Sequence, residues 1–131
     1  LINSDVISYK AEFMDSSSND TLSIIIKYKN GSIGNITYFS NGHNSYPKEN
    51  IEIFVNGKIL VINNFKDLKG FGWSNFKSLK LWRQNKGNNE CINEYLRSIV
   101  DGNESPIPIN DIYNVSELAI NIQNNIDGKC Y

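Results

Sequence analysis

Few residues in this 131-residue chain are of types and spacings that could do chemistry. Pro47-Lys48-Glu49 sets one cation and one anion just ahead of an alternating apolar run. Lys48 and Glu49 there read either as contacts to a substrate hydroxyl or phosphate, or as a solvated charge pair at a strand entry. Arg83 and Lys86 lie close together before a helical pattern, where the helix dipole favours anions. They read as a phosphate-binding pair or as a basic surface cluster. His43, the only histidine, is of a type suited to general acid–base catalysis, but it sits in a polar loop without an evident partner and reads as a surface residue. Trp73 and Trp82 could stack on a sugar face; packing against a sheet or a neighbouring domain is the plainer reading. One histidine and two distant cysteines do not supply a zinc site. Cys91 falls on an apolar helical stripe and reads as a buried structural thiol, and the near-terminal Cys130 as inert.

Positioning these residues falls to a series of hairpins. In YPKENIEIFVNGKILVI (residues 46–62), Ile51, Ile53 and Val55 alternate with Glu52 and Phe54, the period of a strand. Asn56-Gly57 then tolerates the positive φ angles of a type I′ turn, and residues 59–62 run back. Upstream, residues 6–14 lean apolar, residues 15–20 form a polar break, and residues 21–29 are a strand with Leu22, Ile24, Ile26 and Tyr28 on one face. If Asn30-Gly31 is a two-residue loop, Lys29 pairs with Ser32, Ile24 faces Thr37 and Leu22 faces Phe39. The opposite face would then carry Ser23, Ile25, Lys27, Gly34, Ile36 and Tyr38, half apolar, as at an interface. Residues 65–76, with glycines beside aromatics, read as a connector folded back on the domain, and residues 79–83 as a possible sixth strand.

The period then changes. Cys91, Ile92, Tyr95, Leu96 and Ile99 recur at helical spacing over residues 89–100, with Asn88 or Asn89 as cap and Gly102 just beyond the end. Pro106 and Pro108 force an extended link. A second helix follows, capped by Asn110 or Asp111, with a stripe of Ile112, Val115, Leu118, Ala119, Ile122 and Ile126, and ended by Gly128. Strands first and helices last give α+β: one domain, an open, mostly antiparallel sheet of five to six strands with two C-terminal helices on one face.

Composition excludes several classes. The net charge of −1 gives no reason to expect nucleic acid or an anionic membrane as partner. No apolar run approaches the roughly 20 residues of a membrane span. With no leader in view, the chain reads as cytoplasmic with free thiols. The Asn-X-Ser/Thr triplets at Asn19, Asn30, Asn35, Asn103 and Asn114 then read as chance in an Asn-rich chain.

Three ordered segments, TLSIIIKYKNGSIGNITYFSNG, YPKENIEIFVNGKILVINNF and RQNKGNNECINEYLRSIVDGNESPIPINDIYNVSELAINIQNNIDGK, resemble the C-terminal part of Gfo/Idh/MocA oxidoreductases. The likeness is strongest to the group fused to a zinc-type alcohol-dehydrogenase-like half. It covers residues 6–128, and its most specific pieces are Pro47-Lys48-Glu49 with the I-E-I-F strand, the R-Q-x-K-G segment, and S-P-I-P before the last helix. The resemblance implies an N-terminal Rossmann domain that binds NAD or NADP, outside this chain. It also implies a C-terminal domain that lines the substrate site and forms an oligomer interface through its outer sheet face. Substrates would be sugars, polyols or sugar nucleotides. Lys48 would then be a substrate contact, with Glu49, Arg83 and Lys86 beside it. Departures from the family pattern matter: no G-x-G-x-x-G occurs, the family's E-K-P-type segment with its usual proton-transfer lysine belongs to the N-terminal half, the helix with its usual catalytic His and Asp would lie just before Leu1, and Lys86-Gly87 is followed by Asn88 where relatives have His. No catalytic, cofactor or metal residue is therefore expected here, and the isolated chain is expected to be inactive. A free-standing binding or assembly module of the same fold is the alternative.

Overall fold

Residues 2–15 and 20–127 are described by the structure, a computed structural model. Gly128, the near-terminal Cys130, the Ile126 side chain, and residues 16–19 of the polar break, with the Asn19 triplet, lie outside the described residues. Seven strands and two helices follow in the order β1 (Val6–Phe13), β2 (Thr21–Tyr28), β3 (Ile33–Phe39), β4 (Asn50–Val55), β5 (Lys58–Asn63), β6 (Asp67–Phe71), β7 (Leu79–Lys80), α1 (Asn88–Val100) and α2 (Ile109–Asp127). The class is α+β with antiparallel pairing throughout, as the pattern of strands then helices requires.

The expected single sheet is two: β1-β2-β3 and β4-β5-β6-β7. The break falls where no tight turn exists. Ten residues separate Phe39 from Asn50, they are polar and run through turns and bends, and Pro47 cannot donate to a ladder. The chain divides accordingly into two compact units, residues 1–42 with 109–131, and residues 43–108.

In the first unit, Tyr9, Ala11 and Phe13 of β1 register with Ile26, Ile24 and Leu22 of β2. That face meets α2, and Ile24, Ile26 and Ile122 form its buried centre, with Leu118 packed alongside. Each such aliphatic side chain contributes about 1.5–3 kcal/mol by leaving water. Asn125 Nδ2 donates to the Tyr9 hydroxyl at 2.9 Å, tying the helix to the strand it covers. Pro108 precedes a helix that begins at Ile109, so Asn110 and Asp111 lie inside its first turn instead of capping it.

The β2–β3 register differs by one residue from the two-residue-loop reading: Ile24 faces Ile36 and Leu22 faces Tyr38. The loop holds three residues. Gly31 N–H donates to Tyr28 O at 3.0 Å, Tyr28 N–H to Ser32 O at 3.0 Å, and Gly31 takes φ +86°. This is the turn-plus-left-handed-residue loop that adds one residue to the hairpin. Ser4 Oγ accepts from Asn30 N–H (3.1 Å) and Asn30 Oδ1 from Ser32 N–H (3.0 Å), fixing the longer loop. A slip of one exchanges faces. Ile36 and Tyr38 therefore share the side of Ile24, half exposed on an edge strand, while Ile33 and Phe39 stand with Ile25 on the outer face.

In the second unit, Val55 pairs with Lys58 across Asn56 (φ +47°) and Gly57 (φ +73°), the two-residue turn read from the sequence. β6 occupies part of what read as a connector. It is joined to β5 by a turn in which Asn64 (φ +52°) and Phe65 (φ +48°) are both left-handed, closed by Lys66 N–H to Asn63 O at 3.0 Å. Phe76 packs over Gly70 of β6: a Cβ built there would lie 2.5 Å from the ring. The ring also contacts Trp73, with centroids 5.5 Å apart, and Lys58 Nζ lies 5.5 Å from the centre of the Trp73 ring. α1 ends in a Schellman arrangement, Asn103 N–H to Ser98 O (2.8 Å) and Gly102 N–H to Ile99 O (3.3 Å), as Gly102 promised. Its start is capped differently from the expectation. Gly87 is the cap residue and no side chain caps the helix, so Asn88 and Asn89 are already inside it. The stripe Ile92, Tyr95, Leu96 and Ile99 is half exposed, whereas α2 buries Ile122 and partly covers Leu118 but leaves Ile112 and Val115 exposed.

Candidate functional site

Glu49 ends the Pro47-Lys48-Glu49 entry, immediately before β4. Its carbonyl accepts Asn64 N–H at 2.6 Å, which anchors the entry to the left-handed β5–β6 turn. Its carboxylate forms an ion pair and hydrogen bond with Lys86 Nζ, and its second oxygen accepts from Gln84 Nε2 at 3.2 Å. Gln84 Nε2 also reaches Asn64 Oδ1 at 2.9 Å. Lys86 Nζ lies 5.9 Å from the Phe65 ring centre, and Asn85 N–H donates to Phe65 O at 3.0 Å. Asn85 then closes the segment onto α1: its Oδ1 accepts Gly87 N–H at 2.9 Å and its Nδ2 donates to Glu90 at 3.1 Å. A bulky residue at positive φ costs on the order of 1–3 kcal/mol and persists only where neighbours fix it. Here Asn85 N–H, bonded to the Phe65 carbonyl, holds that residue, and Gln84 holds its neighbour Asn64.

The pair of motifs singled out in the sequence, 37 positions apart at Glu49 and Lys86, thus meet in one cluster. The carboxyl of Glu49 is held below its ordinary value, first by the hydrogen bond from Lys86, with partial burial opposing and the Lys86 charge, Gln84 and the Lys48 charge adding. Glu90 is likewise lowered, first by the hydrogen bond from Asn85. Lys48 is exposed and acts on Glu49 through charge alone. Arg83 is exposed and forms no ion pair or hydrogen bond among the described residues. The arrangement leaves Lys48 and Arg83 as cations available to an anionic group, while Lys86 is committed to Glu49.

Beside the same entry is a concavity of about 350 Å³, lined by Tyr46, Pro47, Asn50, Val61, Asn63, Asp67 and Lys69. Sequence reasoning missed Asp67 and Lys69 because β6 was read as a connector, and did not single out Asn63 at the end of β5. The signal available was the Asn63-Asn64 pair, a turn-prone dipeptide after an apolar run.

Other candidates fall outside these clusters. His43 is exposed, its Nδ1 2.8 Å from Ser45 Oγ and accepting Ser45 N–H at 3.2 Å, a local turn with no acid–base partner among the described residues. Trp82 is 91% exposed, whereas Trp73 packs on Phe76. Cys91 is free and exposed, which corrects the buried reading: the stripe that carries it lies half open. No three His, Cys, Asp or Glu side chains group as metal ligands among the described residues. Among the described residues the glycines make no dinucleotide cradle. Gly31 and Gly57 close hairpins, the space over Gly70 holds Phe76, and Gly72 abuts Gly57 O. These residues do not fit a nicotinamide dinucleotide, and no step through one is assigned to them. No helix among the described residues is long and apolar enough to cross a membrane.

Compared with protein-family models, with curated proteins and with solved structures, the chain has no match.

Proposed function

We propose that this chain is the C-terminal α+β part of a Gfo/Idh/MocA-like NAD(P)-dependent oxidoreductase. In this reading it lines the site of a sugar, polyol or sugar-nucleotide substrate and takes part in oligomer formation, while the cofactor belongs to an N-terminal Rossmann domain and the proton-transfer groups to chain outside these residues. The observation that carries the reading is the junction of Pro47-Lys48-Glu49 with the Arg83-Gln84-Asn85-Lys86-Gly87 segment through Glu49, Lys86 and Gln84. These are the two most specific pieces of the resemblance, and their junction gives each a reason for its residue types. Glu49 needs a cation and an amide donor, and the K-G segment needs an anchor before α1. Lys48 and Arg83 are exposed cations, suited to a phosphate-bearing substrate.

Hydride transfer requires a bound nicotinamide and a positioned proton-transfer group, and this chain's residues supply neither. Its isolated form is therefore expected to give no NAD(P)-linked turnover of any sugar. The natural gene product that contains it is expected to turn over a sugar-type substrate, with kcat/KM lowered about tenfold or more by Lys48→Met, the loss of one charge-assisted contact. Turnover by the isolated chain would overturn the proposal. So would a gene product without NAD(P) binding, which would instead favour a free-standing binding or assembly module.

A further inference from the structure

β3 stands at one edge of the β1-β2-β3 sheet, paired with β2 on one side and with no strand on the other. Two hydrogen bonds show which of its backbone groups face the open side. Met14 N–H donates to Thr21 O and Tyr28 N–H to Ser32 O, so odd residues of β2 bond toward β1 and even ones toward β3. On β3, Gly34, Ile36 and Tyr38 therefore bond to β2, while Ile33, Asn35, Thr37 and Phe39 turn their N–H and C=O groups outward. Those outward groups make no hydrogen bond among the described residues. An open edge recruits further strands unless the sequence blocks it. The remaining edge strands are guarded. β1 carries a bulge between Val6 and Ser8 and the charged pair Lys10–Glu12, β4 holds Glu52 and follows Pro47, and β7 has only two residues. β3 has none of these devices. Its sequence, IGNITYF, lacks charge and proline, and no Asp, Glu, Lys or Arg occurs from residue 30 to residue 47. Ile33, Ile36, Tyr38 and Phe39 are exposed along it.

The strand is also complementary to itself. In an antiparallel pair of β3 strands with Ile36 on the two-fold axis, Ile33 faces Phe39, Gly34 faces Tyr38 and Asn35 faces Thr37. Apolar residues then meet apolar ones, the glycine meets a large ring, and the two polar residues meet each other. Asn35 Oδ1 already accepts Ser23 Oγ at 3.4 Å, which leaves its amide hydrogens for the Thr37 hydroxyl of a second copy. Moving the axis by one residue would set Thr37 against Ile33, or Asn35 against Phe39. With the axis at Ile36 the outward residues face one another, and their pairs exchange about eight backbone hydrogen bonds. We infer that β3 pairs antiparallel with β3 of a second copy about Ile36, joining two three-stranded sheets into one continuous sheet. The inference goes beyond the oxidoreductase reading, which expects oligomers through the outer face of the sheet. A closed two-fold contact consumes both open edges, so the dimer is its end point.

The test is sedimentation velocity of the whole chain from about 5 to 500 µM, with amide hydrogen exchange followed by NMR at both ends of the range. A reversible monomer–dimer equilibrium is expected, with a dissociation constant of about 10–100 µM for so small a contact. Edge pairing has its own exchange pattern. The amides of Ile33, Asn35, Thr37 and Phe39 should gain protection as concentration rises, while those of Gly34, Ile36 and Tyr38 are protected throughout. Thr37→Pro removes an outward N–H, a change that an edge strand tolerates, and Ile36→Lys sets two like charges opposite each other. Each should weaken dimerisation at least about tenfold, because a two-fold contact counts every change twice. Ile25→Lys, on the outer face, should leave it unchanged. A chain monomeric throughout the range would overturn the inference. So would a dimer in which the outward amides ignore concentration, one that folded Thr37→Pro and Ile36→Lys leave intact, or one that Ile25→Lys abolishes. No cofactor or substrate enters these measurements, so their failure and that of the oxidoreductase proposal are distinguishable.

Discussion

Replacing Gly70 by alanine should destabilise the β4–β7 sheet by an amount that its surroundings set. A Cβ at this position would lie 2.5 Å from two carbons of the Phe76 ring and 2.8 Å from a third. Those separations are about 1 Å inside contact distance, so the ring must move as a body. Overpacking of this kind costs about 1–3 kcal/mol. Displacing Phe76 also disturbs its contact with Trp73, worth about 0.5–1.5 kcal/mol. Against this, alanine recovers about 0.5–1 kcal/mol of backbone entropy relative to glycine. The balance is a loss of about 2 kcal/mol, which at a typical urea dependence lowers the unfolding midpoint by about 1 M. Urea titration followed by tryptophan fluorescence reads it. The control is the same change in a Phe76→Ala background, where the clash is gone and Gly70→Ala should become neutral or stabilising by about 0.5 kcal/mol. An unchanged midpoint in the first comparison, or an equal loss in both backgrounds, would refute the argument.

Other expectations follow from the same contacts. Ile26, 3% exposed at the centre of the first unit, should cost about 2–5 kcal/mol when cut to alanine, measured by urea unfolding. Gly31→Ala meets no neighbour, so its cost of about 1 kcal/mol would come from the +86° φ alone, and a loss several times larger would contradict the three-residue loop. Glu49 has a folded pKa below the ordinary 4.5, so its contribution to stability is fully present above that value and is lost as pH falls through the lowered one. Glu49→Gln should therefore flatten the acid side of a plot of urea midpoint against pH, and an unchanged slope there would count against the Lys86 pair.

Much of the fold was legible because its signals are local. Alternation in residues 21–28 and 51–55, the Asn56-Gly57 turn and the helical stripe of Leu118 and Ile122 each determine structure within a few residues. What escaped depends on contacts or on turn chemistry with no sequence signature. Gly31 serves two- and three-residue loops equally, and the choice rests partly on Ser4, 26 positions from its partner Asn30. β6 was obscured because its turn places a phenylalanine at positive φ and its strand contains Asp67 and Gly70, poor strand formers, the second made useful only by Phe76 above it. Of the candidate site, Glu49 and Lys86 were named individually, but their pairing is a long-range fact, and Asp67 and Lys69 of the concavity went unseen with β6. The division into two sheets follows from a ten-residue interval whose length was visible but whose consequence for pairing was not.

The most direct test of the account is NAD(P)-linked absorbance change, over a panel of sugars, polyols and sugar nucleotides, for the natural gene product and for this chain alone. The account predicts turnover by the former, weakened by Lys48→Met, and none by the latter. Turnover by the chain alone, or a gene product that neither binds NAD(P) nor oxidises any of the panel, would contradict it.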